Sequence, residues 1–232
     1  MIRFDLSKGF LWGAACSSFQ MEGGADADGR GPSVWDEFPK RHPERFHEGA
    51  TPAVAADFYH RYAADIASMR DLGLKSFRLS ISWSRVLPQG RGRVNPAGLD
   101  FYDRVFDTLL ANGIQPFVDL YHWDLPWALA EDGGFNNPRI VEDFEAYARL
   151  CFERFGDRVK YWSTMNEPGA TNYFNPFDPA SQDPARLRRW HLHVLLMHFA
   201  AVRLYRAMGQ GGRIGAVIAH VPMYPRSLSE RD

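Results

Sequence analysis

Apolar positions recur along this chain with two alternating periods. Phe58, Tyr62, Ile66 and Met69 share one face of a 3.6-residue helix, as do Phe101, Val105 and Leu109. Short strand-like runs lie between such stretches, at 75–82, 115–122, 159–166 and 213–220, and another at 10–20 precedes them. The order predicted is β-α-β-α-β-α-β-α-β, which implies parallel strands joined by helical crossovers.

The punctuation is the same four times. Thr51-Pro52, Asn95-Pro96, Asn137-Pro138 and Asp183-Pro184 each set a capping side chain before a proline. Proline costs nothing at the first helical position, where its missing N–H would be unbonded anyway. Gly73, Gly113, Gly156 and Gly209 then supply left-handed residues that would stop each helix. A closed barrel of this kind has eight strand–helix units. The predicted fold class is therefore α/β, a TIM-type (β/α)8 barrel of which this chain covers about four βα units and a fifth strand. Residues 1–232 read as a single domain, the N-terminal portion of such a barrel, ending before the next helix.

Composition narrows the partners. The 232 residues carry a formal net charge of −1, which argues against nucleic acid, since phosphate recognition needs a basic surplus. No apolar run approaches the ~18 residues of a membrane span. The segment 10–16 could pass for a signal-peptide core, but it is short for one and reads better as a buried first strand. Two cysteines, Cys16 and Cys151, are too few for a disulfide scaffold and point to a cytoplasmic protein.

In a parallel barrel the chemistry sits at the C-terminal strand ends. The first run ends at Gln20, followed by Glu22. Arg78 lies on the second, His122-Trp123-Asp124 end the third, and Asn166-Glu167-Pro168 end the fourth. An amide, an imidazole, an indole and a carboxylic acid would meet at one mouth. This set suits a sugar, with polar groups for hydroxyls, an aromatic face for the ring and an acid for the leaving oxygen.

Four ordered blocks carry a specific resemblance. The run from Phe10-Leu11-Trp12-Gly13 to Phe19-Gln20-Met21-Glu22-Gly23-Gly24 resembles the N-terminal signature of family 1 glycoside hydrolases, the β-glucosidase family. Phe77-Arg78-Leu79-Ser80-Ile81-Ser82-Trp83-Ser84-Arg85 and Tyr121-His122-Trp123-Asp124-Leu125-Pro126 resemble two more of its blocks. Trp162-Ser163-Thr164-Met165-Asn166-Glu167-Pro168 is similar to the block holding its acid/base. The resemblance implies Glu167 as general acid/base and Asn166 as the ligand of the sugar 2-hydroxyl. It implies Gln20 and His122 on further hydroxyls with Trp123 beside them, and Arg78 in support of the nucleophilic carboxylate. It also implies retention at a β-linked glycoside, with no metal and no organic cofactor.

Departures from the family are equally definite. Retention needs a second carboxylate about 5–5.5 Å from the first. The family's late Glu-Asn-Gly block is not present in these 232 residues. Glu22, Glu37, Asp119 and Asp124 lack the matching context. The segment 169–183 is shorter than the family pattern. Asp119 stands where a neutral residue is usual, and its parity opposes Val118, Leu120 and His122, so it is expected to face the helices. Val118, Leu120 and Ile81 are then expected to line the inside of the sheet. His191 and His193 are spaced too closely to share a helix face and predict no zinc site. Arg186, Arg188 and Arg189 read as a solvated turn. The missing strands predict a partner, either a C-terminal barrel portion or a second copy of the chain.

Overall fold

The computed structural model describes residues 9–169 and 183–220, together with 222, 224–227 and 229. Five parallel strands form one sheet in chain order: β1 (Gly13–Ala15), β2 (Ser76–Ser80), β3 (Gln115–Asp119), β4 (Tyr161–Asn166) and β5 (Arg213–Val217). Each strand pairs with the next in sequence, as right-handed crossovers around a barrel require. The main crossover helices are α3 (Phe58–Asp71), α5 (Pro96–Ala111), α7 (Ile140–Phe155) and α8 (Pro184–Ala207). Shorter helices follow the strand ends: α1 (Ser18–Met21), α2 (Val34–Arg41), α4 (Trp83–Val86) and α6 (Trp127–Glu131). No described helix is long and apolar enough to cross a membrane.

The predicted boundaries survive unevenly. Asp183-Pro184 opens α8 as expected, and the Asp183 carboxylate accepts from Ala185 N at 2.8 Å. Pro96 opens α5, but Asn95 does not cap it. Its amide donates to the carbonyls of Asp28 and Arg85 instead, tying α4 to the segment that holds Asp28. Thr51-Pro52 opens no helix; Thr51 closes a local turn on Ala53, and α3 starts six residues after Pro52, at Phe58. Asn137 likewise accepts from Arg139 N, and α7 begins only at Ile140. At the other ends Gly73, Gly113 and Gly209 have positive φ, whereas Gly156 does not. Glycine is needed there for space, because a Cβ would stand 2.5 Å from Phe152 O and 2.3 Å from Gln210 Oε1.

Alternation along the central strands separates the faces. Phe77, Leu79, Val118 and Trp162 are buried in the core between sheet and helices, with Val105, Phe106, Tyr147 and Phe152 opposite them. Burial of such side chains is worth about 25 cal/mol per Å² of apolar surface. Val118 therefore belongs to the helix-facing layer, contrary to the expectation from parity. The concave face carries Arg78, Phe117, Asp119 and Tyr161 instead, in register across β2, β3 and β4. A hollow of about 210 Å³ opens among Phe117, Tyr161, Ser163, Arg213 and Gly215. β1 is exposed along its whole length, so the expected buried first strand is an exposed edge strand.

Candidate active site

Arg78 is the centre of the concave face. Register pairs Arg78 with Phe117 and Ser80 with Asp119, and paired residues of parallel strands point to the same side. Asp119 thus faces Arg78, is fully buried and forms an ion pair with its Nη2. The expectation that Asp119 faces the helices is corrected by this register. Asp119 and Val118 do point to opposite faces, but Val118 is the one that faces the helices. The same Nη2 donates to Asn166 Oδ1 at 2.6 Å. His122 Nδ1 lies 3.4 Å from the carboxylate oxygen that Arg78 holds. One guanidinium therefore ties together β2, β3, the turn after β3 and the end of β4.

Asn166 reaches this cluster because of a bulge. Ser163 pairs with Gly215 and Asn166 with Val217, so Thr164 and Met165 stand opposite the single residue Ala216. A regular strand would turn Asn166 to the face opposite Ser163; the extra residue returns it to the concave side. Thr164 points the other way, its hydroxyl meeting His198 Nδ1 on α8 at 2.8 Å. Two further contacts hold Asn166 beside the Arg78 bond: its N–H donates to Tyr121 O at 2.9 Å and its carbonyl accepts from Trp123 Nε1 at 3.1 Å.

Glu167 follows directly, half-buried, its backbone N–H donating to Val217 O at 2.7 Å. Its φ is +48°, and Trp123 at the end of the previous turn has φ +71°. Side-chain-bearing residues rarely adopt this region, at a cost of about 1–3 kcal/mol each. Both strained residues sit at the C-terminal end of the sheet, within the cluster that the sequence pointed to.

The turn after β3 extends past the strand itself. His122-Trp123-Asp124 begins three residues after Asp119, held by Leu120 N donating to Ser163 O at 2.8 Å and by Tyr147 Oη donating to Leu120 O at 2.8 Å. Asp124 is fully buried; Ser18 Oγ donates to its Oδ2 at 2.6 Å. Burial pushes the Asp124 carboxyl up to about 6, with the Ser18 bond and the His122 ring acting in the opposite sense. Ser18 N in turn donates to Ser80 Oγ at 2.7 Å, so this small network joins the ends of β2 and β3 to α1.

Gln20 does not end a strand. β1 stops at Ala15 and Gln20 lies in α1, exposed, its amide oxygen accepting from Ser17 Oγ at 2.7 Å. Among the described residues no bond joins it to the Arg78 cluster. Glu22 is buried away from solvent, where it accepts from Arg85 Nε at 3.0 Å and from Tyr102 Oη. Glu37 pairs with Lys40 on the surface of α2. His193 Nδ1 meets Phe135 O at 2.6 Å, and no group of three metal-ligating side chains occurs among the described residues. The expected shortness of 169–183 concerns residues that lie, from 170 to 182, outside the described ones.

Comparison with known proteins gives this geometry a context. The profile of glycosyl hydrolase family 1 matches residues 3–232. The chain belongs to glycosyl hydrolase family 1. It is 43% identical over 234 residues to the 6-phospho-beta-glucosidase GmuD of Bacillus subtilis, covering 99% of this chain and 50% of that protein. It is 45% identical over 247 residues to the coniferin beta-glucosidase of Pinus contorta, at 96% and 47% coverage. The structure of the Thermotoga maritima beta-glucosidase in complex with deoxynojirimycin superposes with a TM-score of 0.92 at 44% identity, covering 98% of this chain and 52% of that one. The chain thus spans about half the length of the relatives it matches. Its sheet is a partial TIM barrel, as the order of strands and helices predicts, and its family is the one that the four sequence blocks resemble.

Asp119, which alternation along β3 assigns to the helix side, is the member of the cluster that the sequence pattern does not point to. A signal was available: an arginine on the inner face of a strand calls for a carboxylate on the neighbouring strand.

Proposed function

We propose that this chain carries the acid/base half of a retaining β-glycosidase of the β-glucosidase type. The observation that carries the reading is the Arg78–Asn166 bond at 2.6 Å, which fixes the amide next to Glu167 at the end of β4. In this reading Glu167 protonates the glycosidic oxygen and later removes a proton from water. Asn166 holds the sugar 2-hydroxyl, His122, Trp123 and Gln20 surround the glycone, and Arg78 waits for the nucleophilic carboxylate. That carboxylate belongs to the Glu-Asn-Gly block, which these 232 residues do not contain. Without it no covalent glycosyl-enzyme forms, whatever Glu167 does.

A partner follows from the same reading. Phe10, Leu11 and Trp12 beside the β1 edge, and Ile218 after β5, are exposed, as are Leu192, Leu195, Leu196 and Phe199 on α8. Water satisfies unpaired backbone groups of an edge strand, but it does not replace apolar contacts. These surfaces support coverage by a C-terminal barrel portion or, in its absence, by another copy of the chain. A cytoplasmic setting, read from the two cysteines, is part of the proposal.

An aryl β-glucoside assay tests it. The pure 232-residue chain is expected to be nearly inert. Co-expression with the C-terminal half of the Thermotoga maritima beta-glucosidase is expected to restore turnover, which Glu167→Gln abolishes. Sustained turnover by the chain alone, lost in Glu167→Gln, would reveal a second carboxylate within it. Light scattering at micromolar concentration reports the association: a stable, cooperative monomer would sink the partner reading.

A further inference from the structure

We propose that Asp119 is a positioning residue that makes His122 a hydrogen-bond acceptor toward the sugar, by keeping the ring proton on Nδ1 and leaving Nε2 bare. The ligand rests on the glycosidase reading above; the geometry does not. Asp119 Oδ2 lies 3.4 Å from His122 Nδ1 and is the same oxygen that pairs with the Arg78 guanidinium. A carboxylate held by an arginine has lone pairs and no hydrogen to give, so the hydrogen of this contact belongs to Nδ1. In a neutral imidazole the other nitrogen is then an acceptor only.

The surroundings make this choice effective. Asp119 is fully buried and the His122 side chain is 11% exposed, so water competes weakly for their contact. Among the described residues Nε2 forms no hydrogen bond. Trp123, at 5.2 Å between ring centroids, packs edge-on against the imidazole and limits its rotation. Asp119 stands where the family resemblance leads to a neutral residue, so the control over His122 is a property of this chain's own sequence. A sugar hydroxyl meeting His122 here must donate its hydrogen, which frees its oxygen lone pairs for donors elsewhere in the site.

The test is a long-range proton–nitrogen correlation spectrum of the uniformly labelled 232-residue chain at neutral pH, which distinguishes protonated from bare ring nitrogens. His193 is the internal reference, because its Nδ1 faces the Phe135 carbonyl at 2.6 Å and must carry a proton in any folded sample. His122 is expected to show a protonated Nδ1 and a bare Nε2. In Asp119→Ala the proton is expected to move to Nε2, and in Asp119→Asn, whose amide oxygen still accepts, to stay on Nδ1. Titration of the wild-type chain with deoxynojirimycin is expected to shift the Nε2 resonance, and Asp119→Ala is expected to bind about tenfold more weakly, the scale of one lost hydrogen bond. A wild-type His122 carrying a proton on Nε2, with or without one on Nδ1, would overturn the proposal. So would an unchanged tautomer in Asp119→Ala while His193 keeps its signature. If that variant does not fold, the wild-type spectrum decides alone. Absence of deoxynojirimycin binding with the Nδ1–H tautomer present would overturn the sugar site and the glycosidase reading, while leaving the Asp119–His122 relationship intact.

Discussion

The Arg78 guanidinium donates to the Asn166 side-chain oxygen at 2.6 Å, across 88 residues of sequence and over the intervening strand β3. The contact spans the middle of the concave face, because Asp119 on β3 accepts from the same Nη2. Arg78 Nε and Asp119 Oδ1 are buried with no hydrogen-bond partner among the described residues. Their pairing is therefore monodentate, and the cluster depends on both charges staying together.

Removing one charge should cost more than removing both. Arg78→Met leaves the fully buried Asp119 carboxylate without its cation and is expected to lower stability by about 3 kcal/mol. Arg78→Met combined with Asp119→Leu is expected to recover most of that loss. Urea unfolding midpoints of the three proteins measure it. Equal destabilisation by the single and the double change would mean that the pair contributes nothing beyond packing.

The backbone at Glu167 separates stability from chemistry. Its φ of +48° is natural for glycine and strained for every side chain. Glu167→Gly is expected to be about 1 kcal/mol more stable than Glu167→Ala, although both lose the carboxylate. Thermal melts of the two variants make the comparison, and an alanine variant as stable as the glycine one would remove the strain argument.

Asp124 should make the fold more stable in mild acid. Its folded carboxyl titrates at about 6 instead of the ordinary 3.8, so between these values the native state holds more protons than the unfolded chain. The stabilisation is fully present below pH 3.8 and is lost as pH rises through 6. Asp124→Asn is expected to flatten this dependence and to gain on the order of 2 kcal/mol relative to the wild type at pH 8. Denaturation at pH 5 and pH 8 gives the slope. An identical slope in both proteins would show that Asp124 does not set it.

Gly98 gives a prediction whose sign opposes propensity. Glycine to alanine within a helix ordinarily gains about 1 kcal/mol. Here a Cβ would stand 2.2 Å from the Arg85 carbonyl oxygen, a backbone atom in a buried turn. Gly98→Ala is therefore expected to destabilise, and the displaced turn should also loosen Arg85 from Glu22. A melting temperature at or above the wild type would show that α5 can move aside.

Most of the architecture was legible in the chain. Helical period, glycine stops and strand-like runs are set by local sterics and by burial of one face, so the element order and the parallel sheet could be read from short windows. Arg78 on β2 and Asn166 at the end of β4, with Glu167 next to it, lie on the strands that the same pattern assigns them to. Asn137 and Thr51 misled because a capping side chain can close a turn of its own before the helix begins, as each does here. Gln20 misled because the apolar run that holds it contains an edge strand of three residues and then a helix.

The sequence by itself determined which segments become strands, their order, and the family to which the blocks from Phe10 to Pro168 belong. Only the tertiary structure decided which face each inner residue takes. Side-chain direction depends on inter-strand register, and register is set by hydrogen bonds between segments some 40 residues apart. The placement of Asp119 beside Arg78, and the bulge that turns Asn166 toward them, exist only once β2, β3, β4 and β5 are paired. A single extra residue between Ser163 and Asn166 reverses the parity that a linear reading assumes.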